Sequence, residues 1–115
     1  MAVKILIQRK IRPGKENEFG KALRELRSKA IHAKGYISGE TLHSIEDPSL
    51  YLVISTWKSP EDWNRWANSP ERKSFQKETD AMLEGPTKVT PYQYESTSPQ
   101  VDDILTALES SFQDE

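Results

Sequence analysis

The chain has 115 residues, a formal net charge of −2 and no cysteine, which excludes disulfide scaffolds, thiol catalysis, zinc ribbons and iron–sulfur sites. Its apolar content of 35% is low for a globular domain, and no stretch approaches the roughly 20 apolar residues of a membrane span. We therefore expect one small cytoplasmic domain that either has a modest core or completes its core with a partner.

The N-terminal third predicts a strand followed by a helix. Residues 2–11 alternate, with Val3, Ile5 and Ile7 pointing to one side and Gln8 among those on the other. Arg12-Pro13-Gly14 ends this strand. Phe19, Leu23, Leu26 and Ala30 then form one apolar stripe, which predicts a helix over 15–33.

Two further strands are predicted over 36–45 and 50–58, joined by a turn at Glu46-Asp47-Pro48-Ser49. In the first of them Ile37, Thr41, His43 and Ile45 share a face. The apolar residues of the other divide between its faces: Leu50, Leu52 and Ile54 on one, Tyr51, Val53 and Trp57 on the other. Both faces of this strand are therefore candidates for burial.

The next segment contains two clear helix starts. Ser59-Pro60 and Ser69-Pro70 each place a capping hydroxyl before a first-turn proline, with acidic residues following. They predict helices over 60–67 and 70–84. Gly85-Pro86 ends the second helix, and a fourth strand follows over 88–95.

The element order is β-α-β-β-α-β, which predicts an α+β, ferredoxin-like antiparallel sheet with both helices on one face. This domain spans 1–95.

Residues 96–115 carry five acidic and no basic side chains, and they predict a linker and an amphipathic helix with a stripe from Val101 to Phe112. We expect that tail to dock on its own subunit or on a partner. The uncovered sheet face is expected to meet a second copy, forming a homodimer.

The charged residues do not indicate a nucleic-acid or metal site. Lys21, Arg24, Arg27 and Lys29 are interspersed with glutamates on the first helix, which is typical of a solvated face. His32 and His43 stand on different elements without an acidic cluster. We therefore expect no metal and no nucleic-acid partner.

Three tryptophans lie within ten residues, at Trp57, Trp63 and Trp66. Trp63 and Trp66 are spaced to face the sheet together. Core packing is the favoured interpretation for Trp57 and Trp63, whereas Trp66 suits the core and a ligand pocket equally.

The chain resembles the antibiotic biosynthesis monooxygenase family from about Val3 to Glu95. The resemblance is carried by Gly35-Tyr36-Ile37-Ser38-Gly39-Glu40, Glu46-Asp47-Pro48, Leu52-Val53-Ile54-Ser55-Thr56-Trp57-Lys58-Ser59, Glu61-Asp62-Trp63, Trp66-Ala67-Asn68-Ser69-Pro70 and Tyr92-Gln93-Tyr94. It implies a dimeric α/β barrel. It also implies either a cofactor-independent oxygenase of aromatic or quinol substrates, with Trp66 as the catalytic candidate, or a haem-degrading enzyme.

Haem degradation fits this sequence poorly. The haem-degrading members of the family use an Asn on the first strand and a His ten residues beyond the tryptophan. Here the corresponding positions are Ile7 or Gln8, and Gln76.

We expect a substrate pocket between helices and sheet, without a cofactor. Its predicted lining is Gln8, Phe19, Leu23, Trp66, Phe75, Gln76 and Met82, with the indole N–H and both glutamines as donors to a developing phenolate. The apolar members also suit a filled core. A non-catalytic small-molecule-binding or regulatory barrel is the alternative function.

Overall fold

Residues 1–95 form one antiparallel sheet with helices on one of its faces. The computed structural model describes these residues. The elements are β1 (Val3–Lys10), α1 (Glu16–Ala30), β2 (Tyr36–His43), β3 (Leu50–Trp57), α2 (Pro60–Ala67), α3 (Pro70–Thr79) and β4 (Lys88–Gln93). The strand order β2-β3-β1-β4 confirms the predicted ferredoxin-like α+β fold. The predicted tail helix lies outside the described residues.

The alternation of β1 decides which of its side chains meet the helices. Ile7 pairs with Val53 of β3 and with Val89 of β4. Val3, Ile5 and Ile7 are buried under the helices, as predicted. Gln8, one residue further on, is exposed, because neighbouring side chains of a strand point to opposite faces.

The core consists of two apolar clusters side by side beneath the helices. The first contains Val3, Ile5, Ile7, Ala30, Trp57, Trp63 and Trp66. The second contains Ile11, Phe19, Ala22, Leu23, Phe75, Met82 and Leu83. Leu26 and Val53 pack against both. Burial of each large apolar side chain contributes about 1.5–3 kcal/mol.

Both predicted helix starts are confirmed by their caps. The Ser59 hydroxyl accepts a hydrogen bond from the backbone N–H of Asp62 at 3.1 Å, and the Ser69 hydroxyl accepts one from that of Arg72 at 3.2 Å. None of the helices within residues 1–95 has the length and apolar character required to cross a membrane.

The helix predicted over 70–84 ends early. The α-helix stops at Thr79 and a 3₁₀ turn covers Asp80–Met82. Leu83 then forms an isolated β-bridge with Ile11, and the backbone N–H of Glu84 donates to the Lys10 carbonyl at 2.8 Å. These cross-chain bonds hold residues 83 and 84 extended, so they cannot continue the helix.

The prediction that Ile37, Thr41, His43 and Ile45 share one face of β2 is wrong at both ends of the strand. Tyr36 pairs with Trp57 and Ser38 pairs with Thr56, so Ile37 is the extra residue of a β-bulge. The bulge reverses the alternation and places Tyr36 on the helix-covered face. Ile45 is 98% exposed because it follows the end of the strand.

The opposite sheet face carries both apolar and polar side chains and is not covered by any element of residues 1–95. Its apolar side chains come from all four strands: Leu6, Leu42, Leu50, Leu52, Ile54 and Tyr92. Leu42 is 46% and Tyr92 54% exposed. We call this surface the open sheet face.

Candidate functional site

A cavity lies between the sheet and helices α1, α2 and α3, where the two core clusters meet. It holds about 60 Å³, room for several water molecules. Its apolar wall consists of Ile7, Leu23, Leu26, Ala30, Val53, Tyr36, Trp57, Trp63 and Trp66. Its polar lining consists of Arg9, Arg27, Glu40, Thr41, Ser55 and Arg72.

Four aromatic rings form one side of the cavity. Trp57, 1% exposed at the end of β3, stacks on Trp66 with ring centroids 6.1 Å apart and planes 25° apart. Trp63 lies 5.9 Å from Trp57, and Tyr36 meets Trp57 edge-on at 5.5 Å. Trp63 and Trp66 reach the sheet together because they are three residues apart on α2. Trp66 is therefore both a core residue and a cavity residue.

The indole of Trp57 already has a hydrogen-bond partner. Its Nε1–H donates to the hydroxyl of Ser55 at 3.1 Å, in a buried position two residues back along β3. A hydroxyl accepts and donates at once. Ser55 can therefore pass a hydrogen bond from this pair into the cavity.

Arg9 places a cation under the helices, at the inward position of β1 that follows Ile7. It is 4% exposed. Its guanidinium carbon lies 5.7 Å from the ring centroid of Phe19 and 5.2 Å from that of Phe75, which are cation–π distances. Burial, and secondarily the nearby charge of Arg72, lower the pKa of Arg9 to about 10, so it remains a cation at neutral pH.

Arg72 brings a second cation to the same cavity from the first turn of α3. It is also 4% exposed, and its guanidinium carbon lies 5.1 Å from the centroid of the Trp63 ring. Burial lowers its pKa. Its Nη2 is buried and has no hydrogen-bond partner within the described residues. A buried guanidinium nitrogen without an acceptor destabilises the folded protein, because its lost hydrogen bonds to water are not replaced.

Tyr36 and Gly39 shape the side of the cavity nearest to solvent. A Cβ at Gly39 would lie 2.7 Å from the Tyr36 hydroxyl, so the absence of a side chain makes room for the phenol. Arg27 of α1 donates from Nη2 to the Gly39 carbonyl, which ties α1 to β2. Glu40, the next residue along β2, is exposed and pairs with Ile54, so its side chain points to the open sheet face.

Asp62 fixes α2, and with it Trp63 and Trp66, against the loop between α1 and β2. It receives hydrogen bonds from the Ser59 hydroxyl at 3.0 Å and from Arg65 Nη1 at 2.7 Å. The hydrogen bond from Arg65 is the main reason that its pKa lies below the ordinary value. A Cβ at Gly35 would approach the Asp62 carboxylate within 2.2 Å, so this close packing requires glycine.

The predicted pocket residues divide into three groups. Leu23 and Trp66 line the cavity. Phe19, Phe75 and Met82 are buried in the second core cluster, where the two phenylalanines contact Arg9.

The third group, Gln8 and Gln76, is exposed and does not line the cavity, so the structure does not support their predicted role as donors. Gln8 points to the open sheet face. Gln76 follows buried Phe75 on α3 and therefore points away from the core.

Sequence reasoning missed Arg9 and Arg72, although both patterns were present. Arg9 continues the inward series Val3, Ile5 and Ile7. Arg72 belongs to the buried stripe of α3 with Phe75 and Thr79. In each case an arginine occupies an apolar position of the pattern, which is the signal that would have identified it.

Neither histidine lines this cavity. His43 meets Tyr51 edge-on at 5.9 Å, and exposed His32 lines a separate groove beside α1. Within residues 1–95, no three His, Asp or Glu side chains are grouped as a metal site would require.

Comparison with known proteins connects this fold to one family. The sequence model of the antibiotic biosynthesis monooxygenase family matches residues 2–78. Among solved structures, a conserved protein from Methanosarcina mazei Go1 has a TM-score of 0.79 at 18% identity, over 83% of this chain and 94% of that one. SnoaB from Streptomyces nogalater, described as a cofactor-independent oxygenase and solved as a mutant, has a TM-score of 0.74 at 14% identity, over 85% of this chain and 97% of that one. At such identities these two structures support the fold alone.

Two curated Streptomyces proteins are also similar to this chain. Protein SchA of Streptomyces halstedii is 26% identical over 83 residues, which are 72% of this chain and 22% of that protein. The 42.8 kDa protein in the whiE locus of Streptomyces coelicolor is 28% identical over 69 residues, which are 60% of this chain and 17% of that protein. The chain thus spans about a fifth of the length of the curated relatives it matches.

Proposed function

The chain belongs to the antibiotic biosynthesis monooxygenase family, and we propose that it is a cofactor-independent oxygenase of a small phenolic or quinol substrate. The observation that carries the proposal is the cavity bounded by Tyr36 and three tryptophans, which offers flat apolar surface to an aromatic ring. SnoaB, which shares this fold, is described as a cofactor-independent oxygenase, and we propose the same reaction class for this chain.

The proposed reaction draws all of its electrons from the substrate. A phenol and one O₂ give a quinone and one water: one oxygen atom forms the new carbonyl and the other leaves as water. A quinol gives a hydroxyquinone and water by the same balance. The protein binds the ring, excludes water and stabilises negative charge on the phenolic oxygen during electron transfer.

Trp66 is the residue to which we assign direct contact with the substrate. It lines the cavity from α2 and stacks on buried Trp57, so its ring orientation is fixed by packing. Its indole N–H is a donor suited to a phenolic oxygen. Leu23 forms apolar wall from α1.

Oxygen uptake tests this proposal. The full chain is mixed with phenols and quinols under ¹⁸O₂, and products are analysed by mass spectrometry. We expect one labelled oxygen in the quinone product, at least tenfold slower turnover for Trp66→Phe, and unchanged turnover for Gln76→Ala, because Gln76 is exposed. Uptake no faster than in buffer for every compound would contradict the proposal.

We further propose that the open sheet face pairs with that of a second copy. Leu52 and Ile54 at the centre of the face, with Leu42 and Tyr92 towards its edges, offer apolar area that no element of residues 1–95 covers. A stable dimer buries about 1,200–2,000 Å² in total, which a four-stranded sheet can provide.

Residues 96–115 are proposed as a separate acidic tail that docks on the same subunit or on the partner.

A second candidate function is a binding barrel without turnover. It is favoured by one feature of the cavity wall: among residues 1–95, its acidic residue is Glu40, which is exposed and pairs with Ile54, so its carboxylate points to the open sheet face. A buried general base for the phenolic proton is therefore not part of the described wall. Saturable binding of a phenol without oxygen uptake would distinguish this function from the oxygenase.

A further inference from the structure

We propose that the cavity is an anion-recognition site whose ligand is an aromatic carboxylate, held at its buried end by Arg9 and Arg72. This inference deepens the proposed function, on which it rests for the identity of the cavity as the substrate site. It concerns binding alone, so it can be tested without turnover.

The two guanidinium groups have no acidic partner in the part of the chain that the structure describes. The ion pairs found within residues 1–95 join Lys10 to Asp47 and Arg65 to Asp62, both at other places in the fold. Arg9 and Arg72 are instead surrounded by aromatic rings. Charged side chains as buried as these are normally paired.

Three effects make this arrangement unfavourable in free energy in the unliganded protein. Each cation is almost fully removed from water, and their like charges repel each other. Arg72 also stands in the first turn of α3, where the helix dipole disfavours a positive charge. An anion bound between them offsets all three effects at once.

The unpartnered Nη2 of Arg72 indicates the chemistry of that anion. A guanidinium presents N–H groups in a planar fork that matches the two oxygens of a carboxylate. The buried nitrogen lacks an acceptor and lies on a residue that lines the cavity. A carboxylate oxygen would supply the missing acceptor.

The remaining walls specify the rest of the ligand. Trp57, Trp63 and Trp66 provide the aromatic side described above, which suits a flat ring. A ligand that fits both parts has a flat apolar body and an acidic group at one end. A phenolic acid meets this description and remains a substrate for the proposed oxidation.

The acidic tail is the competing source of carboxylates, since residues 96–115 carry Asp102, Asp103 and Glu109. We favour the small molecule because the aromatic walls beside the arginines match a ring better than the short side chain of an aspartate. A full-length variant with Asp102→Asn, Asp103→Asn, Glu109→Gln, Asp114→Asn and Glu115→Gln distinguishes the two sources.

Calorimetric titration of the full chain with 2-naphthoate and its neutral counterpart 2-naphthamide tests the proposal. We expect saturable binding of naphthoate and at least tenfold weaker binding of the amide, as expected for lost hydrogen bonds to a charged group. Arg72→Met should weaken naphthoate binding at least tenfold and raise the melting temperature of the unliganded protein. Arg24→Met, an exposed charge removed from α1, should change neither.

Several outcomes would overturn the inference. Equal affinity for acid and amide would show that charge is not recognised. A lower melting temperature for Arg72→Met with unchanged naphthoate affinity would make the arginine a structural cation–π residue. If the tail variant binds naphthoate more tightly than the wild type, the acidic tail competes for Arg9 and Arg72 and is itself their partner. If Arg72→Met does not fold, Arg72→Lys, which keeps the charge but loses the planar fork, should weaken binding.

Failure of this inference and failure of the proposed function give different results. Naphthoate binding that depends on Arg72, without oxygen uptake by any phenol, supports anion recognition and contradicts the oxygenase. Oxygen uptake that is equally fast for neutral and acidic phenols supports the oxygenase and contradicts anion recognition.

Discussion

Arg9 and Arg72 place two buried positive charges beside one cavity. Burial, together with the charge of Arg72, lowers the pKa of Arg9 to about 10. One residue comes from the central strand β1 and the other from α3, so neither belongs to a flexible segment. The positive charge is therefore held in place by the same elements that form the core. A negatively charged ligand therefore binds without the free-energy cost of ordering the site.

Gly35→Ala should destabilise the protein by several kcal/mol. Gly35 has φ of +84°, where an L-residue costs about 1–2 kcal/mol. The new methyl would also lie 2.2 Å from the Asp62 carboxylate, and overpacking of this kind adds about 1–3 kcal/mol. Urea unfolding followed by tryptophan fluorescence measures the change in the free energy of unfolding.

Gly14→Ala is the matched control for that prediction. Gly14 has the same φ of +84°, but nothing lies within 4 Å of an added Cβ. It should therefore show the backbone cost alone. Equal losses for the two variants would show that packing against Asp62 contributes nothing.

Much of the fold could be predicted because local signals agreed with the tertiary structure. The capping hydroxyls of Ser59 and Ser69 mark the two helix starts correctly, and the alternation of β1 marks its buried face. The errors lie where long-range pairing overrides local pattern. The bridge from Leu83 to Ile11 and the bulge at Ile37 depend on hydrogen bonds to distant strands, which periodicity does not reveal.

The cavity was harder to predict than the fold because its polar groups occupy apolar positions. Leu23 and Trp66 could be identified from helix periodicity and family resemblance. Gln8 lies near the first-strand position that the family resemblance brings to the pocket, but the alternation of its own strand places it on the opposite face. Arg9 was overlooked because a charged residue at the end of an apolar alternation is usually taken as solvent-exposed.

Gly39→Ala should displace the Tyr36 ring and weaken ligand binding with only a small loss of stability. The added Cβ would meet the Tyr36 hydroxyl at 2.7 Å, whereas the next atoms lie at 3.6 and 3.7 Å, ordinary contact distances. The end of a side chain can move, so we expect less than about 1.5 kcal/mol. Near-ultraviolet circular dichroism reports the change in the edge-on contact of Tyr36 with Trp57.

A double-mutant cycle with Tyr36→Phe checks the cause of that effect. Removing the hydroxyl removes the closest contact, so Gly39→Ala should cost less in the Tyr36→Phe background than in the wild type. Additive losses would show that another contact is responsible.

Asp62→Asn should lower the free energy of unfolding by about 1 kcal/mol at pH 7, through the lost pair with Arg65 and the lost first-turn charge. Because the native pKa of Asp62 lies below the ordinary 3.8, its stabilising contribution is present above pH 3.8 and is lost as pH falls through the native value. The wild type and the variant should therefore converge at low pH. Thermal unfolding at several pH values measures this, and a gap independent of pH would contradict it.

Ile54→Lys should convert a dimer to a monomer. Ile54 lies on β3 in the middle of the open sheet face, where a lysine would place a charge in the proposed interface. Light scattering after gel filtration should change from twice the 13.2 kDa of one chain to that value. Ile45→Lys is the control, because Ile45 is exposed in the turn outside the sheet. A wild-type protein that elutes as a monomer would contradict the paired-sheet proposal.

The location of a bound aromatic acid is the strongest test of the proposed anion site. In ¹⁵N-labelled protein, the indole N–H signals of Trp57, Trp63 and Trp66 can be assigned with single tryptophan-to-phenylalanine variants and followed during titration with 2-naphthoate. We predict that all three signals and the guanidinium signal of Arg72 shift with one dissociation constant, since all four residues line the cavity. Saturable shifts at His32 and Lys34 in the separate groove, with Trp57 and Arg72 unchanged, would contradict it.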